Sequence, residues 1–493
     1  MSESLLSKVK FLVIAGVGLF SDGFLNLAIG LVVQMLGYIY FKDEKNALGV
    51  IQGDEVKAGL SLGMIGGQLA FGILGDALGR HSVYGIELII TMFGVLMTIL
   101  LPWKGLSHTG IVAWMTIFRV VTGFGIGADY PMSSSLSAEK TALGSRAVLV
   151  LTVFSCIGAG AMASSIVYLI LLSAFKSSIL HDINHLEWVW RLLLGIGIIP
   201  AALTLYARLT MKESKPYEQY VAKETSLTKK DQRGLKEQFI DFHNYFKEWR
   251  HAKVLFSVSA VWFLLVHSDI AYYGINLNQT IILAQIGYGK GKTPYETLHN
   301  TAVGNIIVQA AGYLPGFWIG IFLPDLIGRK NQQFWCSLIV CALYAIWAGI
   351  TNHTSTGGLM TIFTISQLVI NAGPNTTTFL LPVELFPTRV RATAHGIAAA
   401  SGKCGALLTA FAFGTITEKI GLPGVLGLFS GIMFLCALLT LMIPETKGKT
   451  LDDIENEVLY GETPQVRYAG SETPSDKSVT VKPKLNQMED VEV

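Results

Sequence analysis

Charge is what this sequence has least of. Only 15% of its 493 residues are charged and the mean hydropathy is +0.49, whereas soluble domains carry about 25% charged residues. Because so few charges cannot cover two or three soluble domains, we expect lipid to be the solvent for most of the chain. The 37 Lys and Arg nearly balance the 35 Asp and Glu, which argues against a nucleic-acid partner.

Cysteine pairs and nucleotide-binding motifs are also missing. The five cysteines lie in apolar stretches and show neither CxxC nor Cys/His metal spacing, so the sequence predicts no disulfide framework and no zinc site. It contains no Walker loop, no nucleophile elbow and no cluster of metal ligands. We therefore expect a protein that is not an enzyme and that needs neither a cofactor nor a metal.

Long apolar runs are abundant instead. A bilayer core of about 30 Å requires roughly 20 apolar residues per helix. Twelve runs approach that length, near residues 11–36, 58–75, 83–102, 111–134, 147–173, 190–209, 254–280, 302–326, 334–351, 359–385, 396–416 and 423–443. Because lipid offers no hydrogen-bond partner to open backbone groups, the predicted fold is an all-α membrane protein with two six-helix halves.

The polar segments divide the chain into predicted regions. We expect a cytoplasmic N-terminus (1–10), an N-terminal half (11–211), a cytoplasmic central loop (212–253), a C-terminal half (254–444) and a largely disordered cytoplasmic tail (445–493). The central loop holds ten Lys and Arg against seven Asp and Glu, and the positive-inside rule places such a segment in the cytoplasm. The bilayer is then one partner, and the loop and tail offer sites for cytosolic regulators.

A short charged motif recurs at the equivalent place in both halves. Asp76 and Arg80 follow the second apolar run, and Asp325 and Arg329 follow the eighth, and the acid and the base are four positions apart in each case. Two such motifs in a six-plus-six pattern predict a conformational latch at the cytoplasmic helix ends, which locks or releases the two halves.

Several ionisable side chains fall inside the predicted membrane helices. A charged residue at the bilayer centre costs roughly 2.5–3.5 kcal/mol, so each is a functional candidate. These residues are Asp22, Glu87, Arg119, Asp129, Asp269 and Lys403. We predict that Asp22, Asp129 and Lys403 serve proton coupling, whereas a packing role is an equal alternative for Glu87 and Arg119.

The surroundings of Asp129 suggest a cavity. A glycine-rich run precedes it and Tyr130-Pro131 follows it. We expect the glycines to reduce side-chain bulk beside a central cavity, and Pro131 to interrupt the helix so that freed backbone groups face that cavity.

Two further helices carry polar groups suited to an anion. Trp262, Asp269, Tyr273 and Asn276 share one face at helical spacing, and a carboxylate between aromatic rings suits a ligand that brings its own proton. In the tenth run, Gly373-Pro374 breaks the helix, and Asn375 with three following threonines offers hydrogen bonds to an oxyanion. Lys403 is predicted to exchange partners between a carboxylate and the substrate.

These motifs together resemble fungal and plant phosphate–proton symporters of the major facilitator superfamily. The similar segments are residues 129–131, 373–379, 386–389, 394–403 and 444–447, within a likeness from about residue 10 to 457. The resemblance implies that Asp129 serves proton coupling with help from Lys403. It implies a phosphate site made of Tyr130, Asp269, Tyr273 and Asn375, to which the helical spacing adds Trp262.

Three positions depart from that family. Leu25 stands where the family has a second acid, Ile157 where it has a glutamine, and Leu265 where it has a tryptophan. The predicted function is a plasma-membrane importer that moves inorganic phosphate, a small anionic substrate, with protons by alternating access. Because of these departures, a glycerophosphodiester symporter is the alternative, and a non-transporting nutrient receptor is an alternative of another class.

Overall fold

The computed structural model describes residues 5–44, 46–140, 146–211, 234–267 and 279–460, and helices dominate each of these segments. The described part of the first half contains eight α-helices: α1 (Leu5–Tyr40), α2 (Val50–Leu78), α3 (Arg80–Val83), α4 (Ile86–Ile99), α5 (His108–Glu139), α6 (Arg146–Ala174), α7 (Lys176–His181) and α8 (Leu186–Leu209).

The second half continues with ten α-helices among its described residues. They are α9 (Leu235–Phe246), α10 (Trp249–His267), α11 (Gln279–Gln285), α12 (Pro294–Val308), α13 (Leu314–Ile327), α14 (Arg329–Ile350), α15 (Thr356–Ala372), α16 (Pro374–Leu385), α17 (Arg391–Thr440) and α18 (Leu451–Tyr460). A π-helical segment, Gln309–Tyr313, joins α12 to α13. A kink at Gly421, where φ is 69°, divides α17 into two membrane-length parts.

Nine of the described helical stretches are long and apolar enough to cross a membrane. They coincide with nine of the twelve predicted runs. The described parts of the other three runs fall on α10 with α11, on α15 with α16, and on the first part of α17. The predicted twelve-helix, all-α membrane fold is therefore confirmed.

Glycines bring α2 and α5 into backbone contact. A Cβ atom placed on Gly63 would lie 1.9 Å from the carbonyl oxygen of Val120, and one on Gly123 would lie 2.0 Å from that of Leu60. Any larger residue would push the two helices apart. Small residues at the interface between membrane helices allow the backbones to approach this closely. Within this run, Gly123 therefore serves close packing of neighbouring helices, rather than the cavity that the sequence suggested.

The expected helix break at Pro131 was also wrong. Helix α5 continues through Pro131 to Glu139, which membrane helices tolerate when neighbouring groups compensate for the missing hydrogen bond. The break expected at Gly373-Pro374 does occur, because Gly373 (φ −121°, ψ −99°) separates α15 from α16. A glycine with non-helical torsions ends a helix where a proline alone does not.

The two halves meet closely at one end of the molecule. A Cβ atom on Gly72 of α2 would lie 2.8 Å from the carbonyl oxygen of Ala392, and one on Gly396 of α17 would lie 2.3 Å from that of Gln68. We refer to this end, which includes Asp76 and the start of α17, as the latch end. The end that holds the start of α2 is the far end.

Candidate functional site

A buried carboxylate marks the centre of the molecule. Tyr130 of α5 donates its hydroxyl hydrogen bond to Oδ2 of Asp22 on α1 at 2.6 Å, and the amide of Asn26 donates to the other carboxylate oxygen. Asp22 is 0% exposed. A carboxylate removed from water needs hydrogen-bond donors in place of water. Asn26 on the same helix and Tyr130 on α5 are those donors.

Lys403 reaches this carboxylate from the other half of the chain. Its Nζ lies 5.2 Å from the centre of the Tyr130 ring, and it attracts Asp22 electrostatically. Lys403 is itself buried, on α17. The three residues Asp22, Tyr130 and Lys403, which we call the central cluster, were all predicted site residues, and the fold brings them together across the two halves.

Aromatic rings enclose the central cluster. Phe379 of α16 meets the Tyr130 ring edge-on at 5.9 Å and stacks on Phe154 at 4.2 Å. His395 packs edge-on against Phe379 at 5.2 Å and against Trp262 at 5.3 Å. Because such a wall excludes water, charges within it interact more strongly than they do in solvent. Trp262 belongs to this wall.

The polar side chains at the start of α16 form hydrogen bonds mostly within the protein. The amide of Asn375 donates to Oδ1 of Asn371 at 2.9 Å. The hydroxyls of the three following threonines donate to the carbonyls of Gly373 and Pro374 at 2.9 to 3.1 Å. The threonines thus stabilise the helix break instead of presenting their protons to an oxyanion, whereas Asn375 remains half-buried.

Asp129 faces away from the central cluster. Its carboxylate binds the Arg208 guanidinium and accepts a hydrogen bond from Ser133 at 3.0 Å. Arg208 also donates to Oε1 of Glu87 at 2.7 Å and to two main-chain carbonyls of α1. Consecutive helix positions point about 100° apart, so Tyr130 and Asp129 reach different neighbours. We call Asp129, Arg208 and Glu87 the buried triad.

Asp76 caps a helix of the opposite half. Its carboxylate accepts hydrogen bonds from the backbone N–H groups of Ala392 at 3.2 Å and Thr393 at 2.7 Å, and from the Thr393 hydroxyl at 2.7 Å. The first N–H groups of a helix lack intrahelical partners, and a negative charge is favourable there. This predicted latch residue therefore connects α2 to α17.

Arg80 extends the same contact. Its guanidinium pairs with Asp76 at 3.0 Å and Glu139 at 3.1 Å, and donates to the carbonyl of Thr388 at 2.8 Å. Arg391 of α17 pairs with the same Glu139 at 3.2 Å. Four buried charges from both halves thus form one network at the latch end.

Helix α9 of the predicted central loop also joins the latch. The buried amide of Gln238 donates to Asp76 at 3.4 Å, to Thr393 at 3.2 Å and to the carbonyl of Arg389 at 3.3 Å. Part of the segment that the sequence predicts as a cytoplasmic loop with sites for regulators therefore contacts both halves.

The second motif forms a network that joins the C-terminal half to the start of the predicted tail. Arg329 binds Glu384 with two hydrogen bonds of 2.9 Å and Asp325 at 2.9 Å. Glu445 accepts from the backbone N–H groups of Arg329 at 3.0 Å and Lys330 at 3.1 Å. In both halves the acid thus pairs with the arginine four positions later. Of the two networks, as far as the described residues show, only that of Asp76 and Arg80 has hydrogen bonds to the other half.

Comparison with known proteins supports the architecture. The family model described as "Sugar (and other) transporter" matches residues 12–458. The chain belongs to this transporter family.

The sequence similarity to two relatives covers nearly the whole chain. It is 36% identical to inorganic phosphate transporter PHO84 of Saccharomyces cerevisiae, over 92% of this chain and 85% of the relative. It is 33% identical to a repressible high-affinity phosphate permease of Neurospora crassa, over 91% of this chain and 86% of that one. The proton:xylose symporter XylE, at 19% identity, superposes with a TM-score of 0.69 over 91% of this chain and 98% of XylE.

These findings confirm three predictions. The transporter has the fold of the major facilitator superfamily, it is a multi-pass membrane protein, and it is not an enzyme. Asp269, Tyr273 and Asn276 lie outside the described residues, as do the expected tail beyond Tyr460 and much of the central loop.

Sequence reasoning missed several charged partners in this family member. Arg208 lies at the end of an apolar run, where an arginine that extends to the membrane surface is ordinary. Glu139 and Glu384 were missed although a signal exists, because each precedes an arginine by seven positions, Arg146 and Arg391 respectively. The seven-residue spacing between glutamate and arginine thus occurs once in each half, as the latch motif does.

Proposed function

We propose that this transporter imports monobasic phosphate together with protons by alternating access of its two halves. The central cluster is the observation that carries the proposal: a buried acid and a buried lysine from opposite halves meet at the Tyr130 ring. The relatives named as phosphate transporters support the choice of substrate.

Proton and anion binding are linked in this proposal through Lys403. An ammonium group donates equally well to a carboxylate or to an oxyanion. When Asp22 takes up a proton, it no longer attracts Lys403, and the lysine becomes available to the substrate. Because Lys403 and Asp22 belong to opposite halves, this exchange of partners changes the attraction between the halves.

We assign the buried triad a second role in proton coupling. One guanidinium, that of Arg208, faces two carboxylates, those of Asp129 and Glu87. With both carboxylates ionised, the triad has a net negative charge in a dry environment, which is costly. Binding of one proton balances it, so Asp129 keeps the coupling role that we predicted.

The substrate group in this proposal is Tyr130, Trp262, Asp269, Tyr273 and Asn375. Monobasic phosphate retains hydroxyl groups, and one of them can donate a hydrogen bond to ionised Asp269. Its other oxygens accept hydrogen bonds from the tyrosine hydroxyls and the amide. Sulfate at neutral pH has no such proton and meets the carboxylate as a like charge.

We propose that the latch end faces the cytoplasm and that the transporter resides in the plasma membrane. The excess of Lys and Arg in 212–253 supports this orientation. A closed latch end then corresponds to a state whose substrate path is shut on the cytoplasmic side.

Transport by purified protein in liposomes tests the proposal. We expect labelled phosphate to accumulate when the outside is acidic, and a proton ionophore to abolish the accumulation. Excess unlabelled phosphate should compete, and sulfate should not. Uptake that is independent of the pH gradient would contradict proton coupling. Phosphate binding without uptake would favour a nutrient receptor.

A glycerophosphodiester is the second candidate substrate, and one observation bears on it. Leu25, which stands where the family has an acid, lies against the Gly197 position of α8, since a Cβ atom there would be 3.4 Å from a Leu25 methyl group. Leu25 therefore packs within the N-terminal half and does not widen the central cluster, which favours the smaller anion. Strong inhibition of uptake by glycerophosphocholine or glycerophosphoinositol, with weak inhibition by phosphate, would reverse this preference.

A further inference from the structure

A cavity lined by both apolar and polar side chains lies at the far end, between the two halves. Its volume is about 370 Å³, and residues from α1, α2, α11 and α17 line it. Its polar lining includes Gln34, Asp54, Lys57, Thr280, Thr417 and Glu418. Lys57 and Asp76 lie 19 positions apart on α2, which corresponds to about 28 Å. The cavity is therefore well separated from the closed latch end.

An acid and a base inside the cavity are close together but do not form a hydrogen bond with each other. Nζ of Lys57 lies 3.8 Å from Oδ1 of Asp54, and both side chains are nearly buried. A hydrogen bond of this type spans about 2.7–3.2 Å. A ligand that accepts from the ammonium and donates to the carboxylate can therefore bind to both groups at once.

Two other polar atoms that line the cavity have no hydrogen-bond partner among the described residues. Oε1 of Gln34 and the hydroxyl of Thr417 are buried and make no hydrogen bond within the described part of the chain. The first is an acceptor, and the second can both donate and accept. Buried polar groups are normally satisfied by protein, water or ligand, so this pair suits a ligand with both hydroxyl groups and bare oxygens.

The cavity lies on the same helix faces as the central cluster. Asp22, Asn26, Gly30 and Gln34 follow each other at intervals of four residues along α1, so they form one stripe. Gly30, which lines the cavity, is about 12 Å from Asp22 along the helix axis. Thr417 is 14 positions, or about four turns, from Lys403 on α17.

We propose that this cavity is a capture site for an oxyanion that still carries acid protons, such as monobasic phosphate, before it moves inward to the central cluster. Lys57 donates to an ionised oxygen and Asp54 accepts from a hydroxyl of the ligand. Thr417 donates to a second oxygen, and Oε1 of Gln34 accepts from a second hydroxyl. The choice of phosphate rests on the proposed function.

The acids at the site make it selective. A dianion without hydroxyl protons, such as sulfate, can bind Lys57 but meets Asp54 as a like charge. Glu418 is exposed at the rim, where water screens its charge, so Asp54 contributes most of the discrimination. Selection against sulfate therefore begins at the cavity as well as at the substrate group.

Equilibrium binding of labelled phosphate to the purified transporter tests the capture site directly. In Lys403→Ala, whose central cluster is impaired, we expect phosphate binding to persist, and we expect the added substitution Lys57→Gln to weaken it about tenfold, or about 1.4 kcal/mol. Lys57→Arg in the same background should weaken it less, because the charge remains. Loss of all binding in Lys403→Ala alone, in folded protein, would overturn the capture site.

Uptake kinetics provide the second measurement. With Lys403 intact, Lys57→Gln should raise the KM for phosphate about tenfold and lower the maximal rate much less. Asp54→Asn should let sulfate inhibit uptake. Lys104→Gln is the matched control, since Lys104 is exposed in the α4–α5 loop at the far end, and it should behave like wild type.

The two proposals fail in different ways. If wild type accumulates phosphate but Lys57→Gln matches Lys104→Gln in KM and binding, the capture site is wrong and the proposed function stands. If Lys57-dependent binding is present but no accumulation occurs, the proposed function is wrong and the capture site stands.

Discussion

Thr393 donates hydrogen bonds to Asp76 from both its backbone N–H and its hydroxyl, each at 2.7 Å. The two residues belong to opposite halves of the chain, so this helix cap must break whenever the latch end opens. The balance between closed and open states therefore depends on it, because a conformational equilibrium shifts by the free energy of contacts made in only one state.

Removing the Thr393 hydroxyl should favour the open latch end. Thr393→Val retains size and the backbone bond but loses the hydroxyl that donates to Asp76 and accepts from Gln238. The bond to Asp76 alone is worth about 1 kcal/mol, or a fivefold shift in the equilibrium. Faster labelling of a cysteine introduced beside Gln68 measures the opening. Thr409→Val, whose hydroxyl bonds to its own helix at Gly405, is the control, and equal labelling of both variants would contradict the prediction.

A methyl group on Gly396 should prevent the latch end from closing. Because its Cβ would lie 2.3 Å from the Gln68 carbonyl oxygen, α2 and α17 must separate. We expect Gly396→Ala to lose most uptake and to label strongly at the same reporter. Gly427→Ala and Gly431→Ala, where nothing lies within 4 Å, should transport normally; a fully active Gly396→Ala would show that this contact is dispensable.

Asp129→Asn should uncouple transport without unfolding the protein. Arg208 keeps Glu87 and two main-chain carbonyls as partners, so no buried charge is left unpaired, while the titratable group is lost. We expect accumulation against a gradient to disappear and phosphate exchange at equal pH to remain. Normal pH-driven accumulation by this variant would remove Asp129 from the coupling mechanism.

Lys403→Ala should impair transport more than Lys403→Arg does. The ammonium attracts Asp22 and lies over Tyr130, and the guanidinium retains the charge but not the compact shape. We expect the initial uptake rate to fall at least tenfold in Lys403→Ala and less in Lys403→Arg. If both variants match wild type at equal expression, Lys403 has only a structural role.

The sequence alone was sufficient for the membrane architecture. Apolar length and the cost of unpaired backbone groups in lipid favour helices, and the described parts of the twelve runs lie mainly on helices. A repeated motif also identified Asp76, Arg80, Asp325 and Arg329, because charges at helix ends are visible without knowledge of the packing.

Which neighbours these residues meet was decided only by tertiary structure. Asp129 and Tyr130 are adjacent in sequence, yet one binds Arg208 and the other binds Asp22, because consecutive helix positions face different neighbours. Gly123 likewise packs against α2 instead of bordering a cavity. Local composition shows that a side chain is small or charged, but its partner comes from a helix tens to hundreds of residues away, and only the packing of helices selects it.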